Sequence, residues 1–336
     1  MIYSNLDFNH KTILITGGAG FIGSNLAFYL QNNFPKAKII IFDCFRSNEF
    51  LENGNLISYG HYKNLIGFYG EVICGNVNNK IDLSMLDNFN FDYIFHHAAI
   101  SDTRAYNQEL VLRTNVNSFY SILEIAKKHD SVLVYASLAA TYGNLPAPQV
   151  EGDENPENPY GYSKLLMDQI ASQYSKENSN MTIVGLRFFN VYGPREFYKA
   201  KTASMVIQLA HQLLNGKAPR LFINSHKIYR DFIFIDDVIQ ANIKACQPSE
   251  EVIFNIGSGT SRSFQDVVNI LKMELNIKIE TEYFPNPFSG YQNHTQADIN
   301  SSKKVLNFNP KFSLEKGIKT YLPDIIKLYP NINDWF

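Results

Sequence analysis

A glycine-rich turn fixes the architecture open to this chain. Lys11 to Thr16 is a short apolar run, Gly17-x-x-Gly20-x-x-Gly23 follows at once, and apolar residues then recur at helical spacing from Phe21 through Leu30. A strand closed by glycines that open a helix permits a tight turn and lets backbone approach a pyrophosphate at the helix N-terminus. Alone, such a loop also describes an ordinary turn. Its setting says more: the second apolar run, Ala37 to Phe42, leads into Asp43, twenty positions past Gly23, where a carboxylate can bond an adenosine ribose.

Further apolar runs follow at Glu71 to Val77, Asp92 to Phe95, Val132 to Ala136 and Thr182 to Phe188, with helical patterns such as Ser118 to Lys127 and Ser163 to Tyr174 between them. Continuous apolar strands separated by helices indicate a parallel sheet covered on both faces. The expected class is α/β, a doubly wound parallel sheet of the Rossmann type. After about Asn190 shorter elements are broken by Gly, Pro and aromatic clusters, with a strand-like Arg230 to Ile235 and helical patterns at Asp237 to Cys246 and Ser263 to Leu275. We expect a nucleotide-binding domain over 1–190 and a mainly substrate-binding, smaller C-terminal α/β domain over 191–336, with residues near 230–262 returning to the first.

Composition narrows the class of function. At 336 residues, 45% hydrophobic and 18% charged, the chain can bury a sizeable core. A net charge of −2 and no run of five like charges remove the electrostatic case for nucleic acid. Cys44, Cys74 and Cys246 are odd in number and lack C-x-x-C spacing, which argues against disulfides or a zinc site; core thiols in a reducing compartment are expected. The N-terminal residues have no basic stretch leading into an apolar one, and no uncharged apolar run approaches membrane-spanning length, so a cytoplasmic protein with no membrane partner is expected. No metal site is expected either: His96 and His97 point to opposite sides of a strand and no acidic or His cluster accompanies them.

Two further features carry chemistry. Tyr160-x-x-x-Lys164 puts both side chains on one helix face, one turn apart. A tyrosine with a pKa near 10 is a poor base until an ammonium and an oxidised nicotinamide stabilise its phenolate; Lys164 supplies the first and can also grip a cofactor ribose. Arg46, three residues past Asp43, can hold a 2′-phosphate, which favours NADP over NAD, although a solvated surface charge is the plain alternative.

With the glycine loop, the strand ending in Ala136-Ser137 and Tyr160/Lys164 in order, the chain resembles the extended short-chain dehydrogenase/reductase superfamily of sugar-nucleotide enzymes. The segments Phe189-Asn190-Val191-Tyr192-Gly193-Pro194-Arg195-Glu196-Phe197-Tyr198-Lys199 and Gly290-Tyr291-Gln292-Asn293-His294-Thr295-Gln296-Ala297-Asp298 make it similar, over nearly its whole length, to the ADP-L-glycero-D-manno-heptose 6-epimerases. That resemblance implies inversion of C6″ of ADP-D-glycero-β-D-manno-heptose through a transient 6″-ketone, for lipopolysaccharide inner-core supply. It implies a homo-oligomer, a pentamer by resemblance, and acid/base roles for Tyr160 and Lys199 on opposite faces of the carbon. It adds cofactor contacts at Phe21, Ile22, His97, Ala98, Ala99, Ser101 and Asn115. Substrate contacts are implied at Asn190, Val191, Lys201, Gln208, Phe222, Ser225, Arg230 and Tyr291, with the Arg230 fork suited to a diphosphate.

The sequence departs from the family at Leu138, where a serine or threonine hydroxyl would bond the reacting sugar oxygen and the tyrosine. Lys201 and Gln208 likewise stand where the family tends to have serine and histidine. Dehydration would call for an Asp-Glu pair where Ala139 and Ala140 stand. Inversion at C4 would leave Lys199 without a chemical role. A cofactor-binding pseudoenzyme would have no reason to keep Tyr160, Lys164 and Lys199 together. Asp231 and Asp236-Asp237 are expected to cap and brace rather than catalyse.

Overall fold

The computed structural model describes residues 2–247, 252–287 and 292–331. Its strands are β1 (Thr12–Thr16), β2 (Lys38–Asp43), β3 (Glu71–Cys74), β4 (Tyr93–His96), β5 (Val132–Leu138), β6 (Ile183–Phe188), β7 (Asn190–Tyr192), β8 (Arg220–Phe222), β9 (Tyr229–Phe234), β10 (Ile253–Ile256), β11 (Ser261–Ser263) and β12 (Glu282–Phe284). The helices are α1 (Phe21–Asn33), α2 (Lys80–Ser84), α3 (Gln108–Leu112), α4 (Ser118–His129), α5 (Pro159–Glu177), α6 (Met205–Leu214), α7 (Ile235–Lys244), α8 (Phe264–Leu275), α9 (Asn300–Val305) and α10 (Leu314–Leu328).

Seven parallel strands form the main sheet in the order β10-β6-β5-β4-β1-β2-β3. The chain is doubly wound, as the apolar runs imply. Successive residues of β1 show why those runs are continuous: Ile13 and Ile15 join the core beneath α1 and α7, while Leu14 joins the core beneath α4 and α5. A strand buried on both faces has no solvent side to mark with polar residues. The order reverses between β1 and β4, and this opens a crevice at the carboxyl edge where ligands collect in such sheets.

Beyond β6 the chain builds smaller pieces around that edge. β7, β9 and β11 form a three-stranded sheet, β8 pairs with β12, and α6, α8 and α10 pack on one another. β10 joins the large sheet beside β6. Asp231 accepts backbone N–H groups from Ser258, Gly259 and Ala297, and Asp237 accepts those of Lys311 and Phe312, so both carboxylates brace loops. The expectation of three core thiols is corrected: Cys246 is buried, but Cys44 and Cys74 are exposed, because they stand at or just past the ends of β2 and β3, where the sheet opens. No helix among the described residues is long and apolar enough to cross a membrane.

Candidate active site

The crevice has a volume of about 680 Å³, and the glycine loop forms one end of it. Gly17 has φ +69°, and a Cβ there would stand 2.7 Å from the Ala98 nitrogen. A Cβ on Gly23 would run into the Gly17 carbonyl. These glycines are what lets β1, α1 and the loop after β4 approach one another. Helix α1 starts at Gly20 with no side chain capping its first N–H groups, which leaves them available to an anion. Asp43 is 5% exposed at the crevice wall, with Oδ2 accepting from Ala19 N at 2.9 Å and Oδ1 from Phe45 N at 2.7 Å. Burial raises its pKa against those two bonds.

His97, Ala98, Ala99 and Ser101 follow β4 along the floor. The His97 ring is turned into the protein, where burial and then the Lys164 charge lower its pKa to about 3. Asn115 is fully buried behind this loop and locks it: Oδ1 accepts from Ile100 N at 2.9 Å, and Nδ2 donates to Ile100 O and Ser163 Oγ. It does not line the crevice itself. Neither does Arg46, whose guanidinium donates to the Tyr198 carbonyl.

Helix α5 begins earlier than its periodicity suggests, because Asn158 caps Gly161 N and Pro159 occupies the first turn. That start puts Tyr160 in the first turn, 7% exposed, and Lys164 one turn on, its Nζ 6.0 Å from the tyrosine ring centre. Lys164 Nζ donates to Ala136 O at 2.7 Å. Burial lowers its pKa to about 8, opposed by the Asp168 carboxylate. Burial also raises Tyr160, with the Asp102 charge adding to it. Both effects disfavour the phenolate in the protein by itself.

Lys199 enters from a different element, a short turn over Phe197–Thr202, and lines the same crevice with its Nζ 5.7 Å from the Phe21 ring centre. Burial lowers its pKa against the pull of Glu196 and Asp102. Leu138 ends β5 at the crevice wall. Its neighbours do not offer the missing hydroxyl: Ser137 Oγ donates to Asp168 at 3.0 Å, and Thr141 Oγ1 donates to the Leu138 carbonyl at 3.0 Å.

Of the substrate candidates, Asn190, Val191 and Arg230 line the crevice. Arg230 is 7% exposed and oriented by donating to Tyr229 O and Gln292 O. Lys201, Gln208, Phe222 and Ser225 do not line it; Gln208 Nε2 donates to the Ala203 carbonyl, and Phe222 packs edge-on against Phe284. Tyr291 lies outside the described residues. Sequence reasoning missed the wall contributed by Ser58, Tyr59 and Gly60, and also Met205 and Phe264. The one available signal was Gly60, whose Cα packs so closely on the Asp43 carboxylate that a Cβ would collide with it. Among the described residues no group of three His, Cys, Asp or Glu could hold a metal ion.

Comparison with known proteins agrees with this geometry. Residues 13–257 match the NAD dependent epimerase/dehydratase family. The chain is 34% identical over 315 residues to an ADP-L-glycero-D-manno-heptose-6-epimerase of Brachyspira hyodysenteriae, covering 92% of this chain and 96% of that one. It is similar to the crystal structure of the Helicobacter pylori ADP-L-glycero-D-manno-heptose-6-epimerase, at TM-score 0.89 and 48% identity, covering 97% and 99% of the two chains. A UDP-glucuronic acid 4-epimerase from Bacillus cereus, solved with UDP-glucuronic acid and NAD, aligns at TM-score 0.79 and 25% identity over 95% and 100%.

Proposed function

The chain belongs to the NAD dependent epimerase/dehydratase family, and from that premise we propose that it inverts C6″ of ADP-D-glycero-β-D-manno-heptose to the L-glycero form, supplying heptose for the lipopolysaccharide inner core. One observation carries the choice of reaction: two acid/base side chains from separate elements, buried Tyr160 on α5 and half-buried Lys199 on its own turn, line a single crevice with the dinucleotide cradle. Inversion at one carbon through a ketone places the oxygen in two orientations, and two such groups can each serve proton transfer in one of them.

The glycine loop, the α1 N-terminus and Asp43 form a cradle that fits a dinucleotide. A bound nicotinamide supplies reversible hydride acceptance, which allows C6″ to pass through a ketone. Around it, Tyr160 takes the O6″ proton when the hydroxyl lies on its side, and Lys199 returns a proton when the reoriented oxygen lies on the other. Lys164 holds positive charge beside Tyr160. Asn190 and Val191 flank the sugar, and Arg230 pairs with the diphosphate. Asn115 keeps the loop after β4 in place under the cofactor.

NADP is the proposed form of the dinucleotide. Arg46 is three residues past Asp43 but outside the crevice lining, and engaging a 2′-phosphate requires it to share or leave its bond to the Tyr198 carbonyl. Denatured protein should release NADP(H); release of NAD(H) alone, with unchanged cofactor content in Arg46→Ala, would remove that assignment.

The reaction itself is tested by offering ADP-D-glycero-β-D-manno-heptose and, separately, UDP-glucose and UDP-glucuronic acid. Inversion of the heptose at C6″, with neither UDP-sugar inverted at C4, is the expected result. C4 inversion without heptose turnover would replace this reading with a 4-epimerase.

A further inference from the structure

The turn that carries Lys199 does not hold itself. Two non-glycine residues there have positive φ, Arg195 just before the turn at φ +73° and Ala200 within it at φ +51° with ψ −124°. Such backbone persists only where its surroundings over-determine it. On the inner side the surroundings are clear. Glu196, fully buried, accepts from Gly193 N, Ser204 N and Ser204 Oγ.

On the outer side the holding group is Tyr198, the residue before Lys199. It is 6% exposed, and its ring lies flat on the His61 imidazole with centroids 4.0 Å apart and planes 2° from parallel. Arg46 donates to its carbonyl. The turn that presents His61 is itself bonded to the cofactor cradle: His61 N donates to Ala19 O at 3.0 Å, and Asn64 Nδ2 donates to the same carbonyl at 3.1 Å. Asn64 O in turn accepts from Arg195 at the start of the Lys199 segment. The His61 ring is kept in place by Nδ1, which accepts from Lys63 N at 3.2 Å. One short turn therefore grips the glycine loop with its backbone and the Lys199 segment with an aromatic face.

We infer that His61 is a positioning residue: through its stack on Tyr198 it sets where the Lys199 ammonium stands relative to the cofactor cradle. The inference rests on the reading of Lys199 as the second acid/base group. A lysine displaced by about an ångström from its reacting oxygen loses on the order of 10²-fold in rate without losing the substrate's other contacts.

The test compares wild type, His61→Ala, His61→Phe and Lys199→Met, each with its bound cofactor, for kcat and KM on ADP-D-glycero-β-D-manno-heptose, with cofactor content and melting temperature measured alongside. His61→Ala should lower kcat by about 10- to 10²-fold at nearly unchanged KM and cofactor content, and His61→Phe, which restores a flat ring, should recover most of it. If His61→Ala does not fold, His61→Leu provides similar bulk without a stacking face and is read the same way. Wild-type kcat in the Ala or Leu variant, a change confined to KM, or a Phe variant as slow as Ala at wild-type melting temperature would each overturn the inference. Full activity in Lys199→Met would overturn the Lys199 reading and this inference with it. Loss in Lys199→Met beside an unaffected His61→Ala would overturn the inference alone.

Discussion

Leu138 is where residue chemistry and family pattern part. Its apolar side chain stands at the crevice wall, and the hydroxyls of Ser137 and Thr141 are already committed to Asp168 and to the Leu138 carbonyl. A positioned hydroxyl contributes on the order of 10²-fold to such a proton transfer, so Leu138→Ser should raise kcat by about that factor with little change in nucleotide affinity; equal kcat would show the hydroxyl to be dispensable here. Lys164 gives a second expectation. Burial lowers its pKa to about 8 against the pull of Asp168, so its ammonium is present below that pH and is lost as pH rises through it. Turnover should therefore fall on the alkaline side of about pH 8, and Asp168→Asn should move that fall to lower pH, which a pH profile of kcat reads directly. Tyr160, Lys164 and the cradle glycines were legible in the sequence because their spacing is local. Arg46 was legible only as a charge: its guanidinium is committed to Tyr198, more than 150 positions away, and no spacing rule reaches that far.

Among the elements, the glycine loop is the one whose geometry leaves least room. Gly17→Ala must accept a left-handed φ and a 2.7 Å contact with the Ala98 nitrogen. The conformational term alone is about 1–2 kcal/mol. The variant should melt lower and carry less cofactor after purification; wild-type values of both would show that the loop can relax. The strands of the main sheet up to β6 were legible from apolar runs, whereas the start of helix α5 was misplaced because the Asn158 cap and Pro159 decided it. α6 and α10 were not recognised, although each buries an apolar stripe. The Gly, Pro and aromatic clusters around them obscured their period. β10, which pairs with β6 in the main sheet, was not recognised as a strand.

For the molecule as a whole, buried neutral histidine sets an acid limit on stability. The His97 pKa of about 3 lies below the ordinary 6.5, so between those values the unfolded chain binds more protons than the folded one. Stability should fall as pH drops below about 6.5, and His97→Gln should show a shallower decline of melting temperature toward pH 4 than wild type. The central claim is also a whole-molecule one: elements far apart in sequence assemble a site that oxidises and re-reduces the same carbon. It is tested most directly with ADP-D-glycero-β-D-manno-heptose carrying deuterium at C6″, incubated with the purified protein and no added cofactor. The account predicts L-glycero product that keeps its deuterium at C6″, and product without deuterium, or no L-glycero form from protein that carries its dinucleotide, would contradict it.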